Sequence, residues 1–157
     1  MRFPKLILSG FLILTTLFAH SGTSDLPLVR KAFYEAKVSE NTATKWHKTL
    51  NKKANLSPLE YAYMGAFECF LGKHAWSPIE KYRRVSDGLF QINQAVNRDG
   101  TDVEIRFIRY TIENEIPRIL ELSHHLKEDR LILKEYTKQN PQEELTIRIN
   151  SYFEASS

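Results

Sequence analysis

Four short stretches of this chain carry the same signature: a small polar residue followed three positions later by a glutamate. They are Ser57-Pro58-Leu59-Glu60, Ser77-Pro78-Ile79-Glu80, Thr101-Asp102-Val103-Glu104 and Asn140-Pro141-Gln142-Glu143. The first side chain can accept from the free N–H groups of a helix's first turn while the Glu reaches back to the cap residue's own N–H. In three of the four, proline fills the first helical position, where its missing N–H is no loss and its fixed φ is already helical. Four helix starts in a chain of 157 residues leave little room for sheet. The chain is predicted to be all-α.

The hydrophobic pattern between these starts agrees. Tyr82, Val85, Leu89, Ile92 and Val96 recur at steps of three and four and predict one apolar stripe on a helix. From Leu59 to Leu71 the apolar residues Leu59, Ala62, Tyr63, Met64, Ala66, Phe67, Phe70 and Leu71 surround most of the circumference instead. Such a helix belongs in the middle of a bundle. Gly65 and Gly72 mark its one patch without bulk, suited to close approach of a neighbour. Helices are predicted at 27–39, 42–54, 58–73, 78–98, 102–116, 117–126, 128–139 and 141–153, joined by short connections that favour antiparallel packing. The last of these alternates like a strand at Leu145, Ile147 and Ile149, but Leu145, Ile149, Tyr152 and Phe153 fit a helix, and the cap before it decides for helix.

The first residues read as an export signal. Arg2 and Lys5 form a basic start, residues 6–18 are an apolar run too short to span a bilayer, and Ala19-His20-Ser21 offers small residues at the cleavage positions. Cleavage is expected after Ser21, with neighbouring sites up to about residue 24, leaving one helical domain over 25–157. No cysteine stands next to the run, so lipid attachment through a signal-proximal cysteine is excluded. The mature protein is expected in the periplasm or outside the cell, without a membrane span. Of the 22 Lys and Arg residues two lie in the leader, which leaves 20 against 19 Asp and Glu. That near-neutrality excludes the basic stripe a nucleic-acid binder uses. Cys69 is the lone cysteine and cannot form an intrachain disulfide. In its apolar helix it reads as a buried structural thiol.

Candidate site residues gather on and near the helix at 102–116. On a helical wheel Glu104, Thr111 and Glu115 form one polar sector, read as solvent-facing, and Arg106, Arg109 and Glu113 form another nearly opposite it, bordered by apolar residues. Arg109 and Glu113, four apart, can pair. Arg106 then needs an acceptor, either Glu68 of the central helix or the carboxylate or phosphate of a ligand, because a buried guanidinium is tolerated only when paired. The cluster reads as an internal salt-bridge network or as a groove for a ligand or partner. His74 and Trp76 precede the second Ser-Pro start, where they either pack a corner or line a pocket. His124 and His125 diverge by about 100° on a helix and make a poor metal pair. His-Glu-x-x-His, Cys-x-x-Cys, Gly-rich phosphate-loop and Gly-x-Ser-x-Gly motifs are all missing from the sequence. No cofactor and no metal is expected.

Two resemblances follow. Helix pairs with Tyr61 and Gly65 on a first helix, and Ala95 and Asp99-Gly100 at the end of a second, resemble a tetratricopeptide-type array over about residues 57–102. The stretches Tyr63-Met64-Gly65-Ala66-Phe67-Glu68-Cys69, Lys73-His74-Ala75-Trp76-Ser77-Pro78 and Glu104-Ile105-Arg106-Phe107-Ile108-Arg109, with Asn114 and Pro117, resemble an uncharacterised family of small exported helical proteins of Bacteroidetes-type bacteria. That resemblance implies an exported helical protein and supplies no activity. The expected function is an exported, non-enzymatic module that binds another envelope or secreted protein. The alternatives are a small-anion binder or hydrolase using Arg106 and Arg109, and a purely structural envelope protein.

Overall fold

The computed structural model describes residues 25–156. The expected export signal lies outside the described residues. The remainder is all-helical: α1 (Leu26–Ala36), α2 (Glu40–Asn51), α3 (Pro58–His74), α4 (Pro78–Arg98), α5 (Val103–Glu115), a single 3-10 turn (Arg118–Leu120), α6 (Leu126–Gln139) and α7 (Glu144–Ala155). Consecutive helices pack on each other along the whole series, and α3 with α4 makes the most extensive contact. No helix among the described residues is long and apolar enough to cross a membrane.

The caps explain most of the boundaries and most of the departures. At α3 the reciprocal pair is complete: Glu60 N–H donates to Ser57 Oγ at 3.2 Å and Ser57 N–H donates to Glu60 Oε2 at 3.0 Å. At α4 Ser77 accepts from Glu80 N–H, but the Glu80 carboxylate turns to Arg84 at 2.8 Å. At α5 the cap is Asp102, accepting from Glu104 and Ile105, while the Thr101 hydroxyl donates to Asp99. Asn140 starts no helix. Its side chain turns back to the Tyr136 carbonyl at the end of α6, residues 141–143 form a turn, and α7 begins at Glu144. The α2 start falls two residues before the predicted one, because Ser39 caps it through Thr42 N–H.

The helix predicted at 117–126 does not form. Pro117 ends α5, and after one 3-10 turn Glu121 adopts a left-handed conformation (φ 51°), unfavourable for a residue with a Cβ. Ser123 and His125 tie the following stretch to the end of α5. The Ser123 hydroxyl donates to the Glu113 carbonyl at 2.7 Å, which also accepts from the Ile116 N–H at the end of α5. The His125 backbone N–H donates to Glu113 Oε2 at 2.8 Å.

α3 is central, as its all-round apolar surface predicts, and is buried without a break from Ala62 to Phe70. Phe33 of α1 meets Tyr63 edge-on at 5.7 Å and lies 5.4 Å from Phe70. Against α4 the backbones themselves touch: a Cβ on Gly65 would lie 2.6 Å from the Gly88 carbonyl oxygen, and one on Gly88 would strike the Gly65 carbonyl and Cys69 Sγ. Gly72 faces Val85 of the same partner helix. Leu89, Ile92 and Val96 are buried as predicted, Val85 is half-buried, and Tyr82 turns to solvent. A smaller second core joins Phe107 and Tyr110 of α5 to Leu133 of α6 and Ile149 of α7. α5 lies between the cores, giving Ile105, Ile108 and Ile112 to the first.

Candidate functional site

The predicted site residues separate into distinct charged clusters. Arg106 and Arg109 are brought together, but their common partner is Asp129 in the first turn of α6. Asp129 is fully buried, and Arg109, only 4% exposed, grips both its oxygens: Nε donates to Oδ2 and Nη2 to Oδ1, each at 2.7 Å. Arg109 Nη1 donates further to Asn93 Oδ1 of α4 at 3.1 Å. Arg106 donates from Nη1 to Glu128 at 2.7 Å and to Asp129 at 3.1 Å, and from Nε to the Gly100 carbonyl at 3.0 Å. Burial opposes the charge on Arg106, yet Glu128 and Asp129 hold its guanidinium above the ordinary range. The same bond holds Glu128 below the usual carboxylate range.

Glu113 does not pair with Arg109. Its buried carboxylate accepts from His125, with Oε1 2.7 Å from the ring Nδ1 in addition to the backbone bond at Oε2. Arg109 is committed to Asp129, which offers two oxygens in fork geometry; the helix-neighbour pairing offers no such match. Glu68 serves neither Arg106 nor Arg109. It meets Arg84 of α4 at 3.1 Å and the His47 ring of α2 at 3.2 Å. Burial pushes His47 below its ordinary value against the pull of Glu68.

His74 and Trp76 line, with His47, Lys48 and Arg84, a cleft of about 350 Å³ beside α2. His74 Nε2 lies 3.3 Å from the Ala36 carbonyl. Trp76 packs no corner, for it is 99% exposed.

Of the sector read as solvent-facing on α5, Glu115 is exposed as expected, but Glu104 and Thr111 are interior. Glu104 is buried and takes both Arg30 nitrogens, at 2.8 Å (Nε) and 2.6 Å (Nη2), the Tyr63 hydroxyl at 2.7 Å and Arg148 Nη1 at 2.9 Å. Burial alone would raise its pKa; Arg30, Tyr63 and Arg148 outweigh it and hold the carboxyl below the usual range. Thr111 is buried on the same side. The reason lies outside α5: α1 and α7 each bring an arginine to this face, and no periodicity within α5 records that. Asp129, Arg30, Arg148, His47 and Arg84 are not singled out by sequence, since the buried partner each meets lies on another helix.

Chemically, these clusters hold the fold's charges in mutual bonds. The Cys69 thiol is buried and raised by burial, which keeps it protonated. The Ser123 hydroxyl donates to a backbone carbonyl. Among the described residues no group of three or more His, Cys, Asp or Glu is placed to hold a metal ion. No family model, no curated protein and no solved structure matches the chain.

Proposed function

We propose that the protein is an exported, non-enzymatic helical module that binds another protein of the cell envelope or secreted space. The observation that carries this reading is the outward side of α4. Trp76 (99% exposed), Ile79 (82%) and Phe90 (62%) stand in solvent with Tyr82. Positions 79, 82 and 90 fall within about 80° of arc on the helix, so Ile79, Tyr82 and Phe90 share one side of it, with the half-buried Ser86 between the last two and Trp76 just before the helix start. Exposed aromatic residues of this kind are the usual anchors of protein interfaces. The expected export, the consecutive packing of helices and the family resemblance fit the same reading. An anion held by Arg106 and Arg109 has less support, because both guanidinium groups are already bonded to Asp129.

The test places a photoreactive amino acid at Phe90, or at exposed Lys134 of α6 as control, in the full chain expressed in its native envelope. The expected result is one protein crosslinked from position 90 and not from 134, which rebinds when purified and is weakened at least tenfold by Phe90→Glu, a change of about 1.4 kcal/mol. Equal products from both positions, or none, overturn the reading.

A further inference from the structure

A second feature lies where α3, α4 and the end of α5 meet. Because Pro117 ends α5 and only a 3-10 turn follows, an apolar cleft of about 300 Å³ stays open between α3, α4 and the end of α5. Cys69, Phe70 and Ile112 form its buried floor, and Val85, Ile116 and Leu120 its walls. Lys73 and Lys81 line it too. Both are exposed, and among the described residues neither ammonium is engaged in an ion pair or hydrogen bond. Glu115, the acid that lines the cleft with them, is bound to Lys37 at 2.6 Å.

We propose that this cleft binds a single-chain aliphatic carboxylate of medium length, such as decanoate, with the chain on the Cys69–Ile112 floor and the carboxylate between Lys73 and Lys81. The volume stands at the small end of ligand pockets, which suits one chain and not a two-chain lipid. The interior supplies no polar side chain for a sugar or nucleotide to bond, since the Cys69 thiol itself donates to the Val85 carbonyl. Two unpaired ammonium groups beside an apolar floor are complementary to an anion with an aliphatic tail and repel a cationic one.

Titration calorimetry of the purified protein, expressed from the full coding sequence, with octanoate, decanoate, decanol and decylamine tests this. Saturable one-to-one binding of decanoate is expected. From octanoate to decanoate affinity should rise about fourfold per methylene, from the burial of each CH₂. Lys73→Gln with Lys81→Gln should weaken decanoate about tenfold and leave decanol unchanged. Ile116→Trp should fill the cleft and abolish binding; Leu120→Trp, on the outer wall, serves if the first fails to fold. Anionic phospholipid vesicles should not sediment the protein. Absence of saturable decanoate binding, decylamine binding as tightly as decanoate, or indifference to both the lysine pair and the filling variant would each overturn the proposal, and vesicle binding that the lysine pair abolishes would assign the lysines to a bilayer surface instead.

Discussion

The α3–α4 and α5–α6 contacts solve the joining of two helices in opposite ways. Across α3–α4 the backbones meet at Gly65 and Gly88 and there is no space for a single Cβ. Across α5–α6 a buried arginine–aspartate fork does the joining, flanked by Arg106 and Glu128. The first is limited by shape and tolerates no added atom. The second is limited by charge, and the damage from an altered partner depends on what is left behind.

The largest effect should come from leaving one charge alone. Asp129→Ala strips Arg109 of both fork bonds in a buried site and should cost about 3–5 kcal/mol in urea unfolding. Replacing both partners, Arg109→Met with Asp129→Leu, should recover most of that loss; if the double variant is as unstable as the single, the contact is not charge-limited. Next comes Gly88→Ala. A methyl there strikes the Gly65 carbonyl, a backbone atom that cannot swing aside, so a loss of about 2–3 kcal/mol should outweigh the roughly 1 kcal/mol that alanine gains in helix propensity. A neutral result in thermal unfolding would mean that the helices can part freely at this crossing.

A third, smaller effect is read in acid. The Glu104 carboxyl is depressed below its ordinary 4.5 in the folded state. Its contribution is therefore present above pH 4.5 and is lost as pH falls through the lower folded value. Glu104→Gln should be less stable than wild type at neutral pH, and the gap should narrow below pH 4.5; a constant gap across that window would sink the assignment. Smallest is Ser57→Ala, which removes the complete cap of α3 and should cost about 1 kcal/mol by urea midpoint.

How much of this was legible beforehand depends on whether the signal was local. The caps at Ser57 and Ser77, the central position of α3 and the role of Gly65 and Gly72 all rest on neighbours in sequence, and the structure agrees with them. The failures share a cause in distant groups. Asn140 had a competing carbonyl at Tyr136, and Glu104 had arginines arriving from α1 and α7. Arg109 was offered a neighbour at Glu113 but found a better match on α6. A helix wheel counts charges on a face without knowing which other elements come to meet it. Trp76 divides the two places its sequence offers: it packs no corner, and it lines the cleft beside α2.

The position of α5 between two cores also bears on how the molecule opens. Residues 104–113 are buried on nearly every side except at Arg106, so fraying can reach the exposed end at Asn114 and Glu115 but not this stretch of the helix. If α6 and α7 peeled away as a pair, Phe107 and Tyr110 would lose their packing and Arg109 its counter-ion in the same event. Detachment of the smaller core thus lays bare the far side of the helix whose near side walls the larger one, and this shared helix couples the two cores. Slow hydrogen exchange should then be shared by α3 and α5, with α5 protected to the same free energy as the centre of the bundle although it is near the chain's later half.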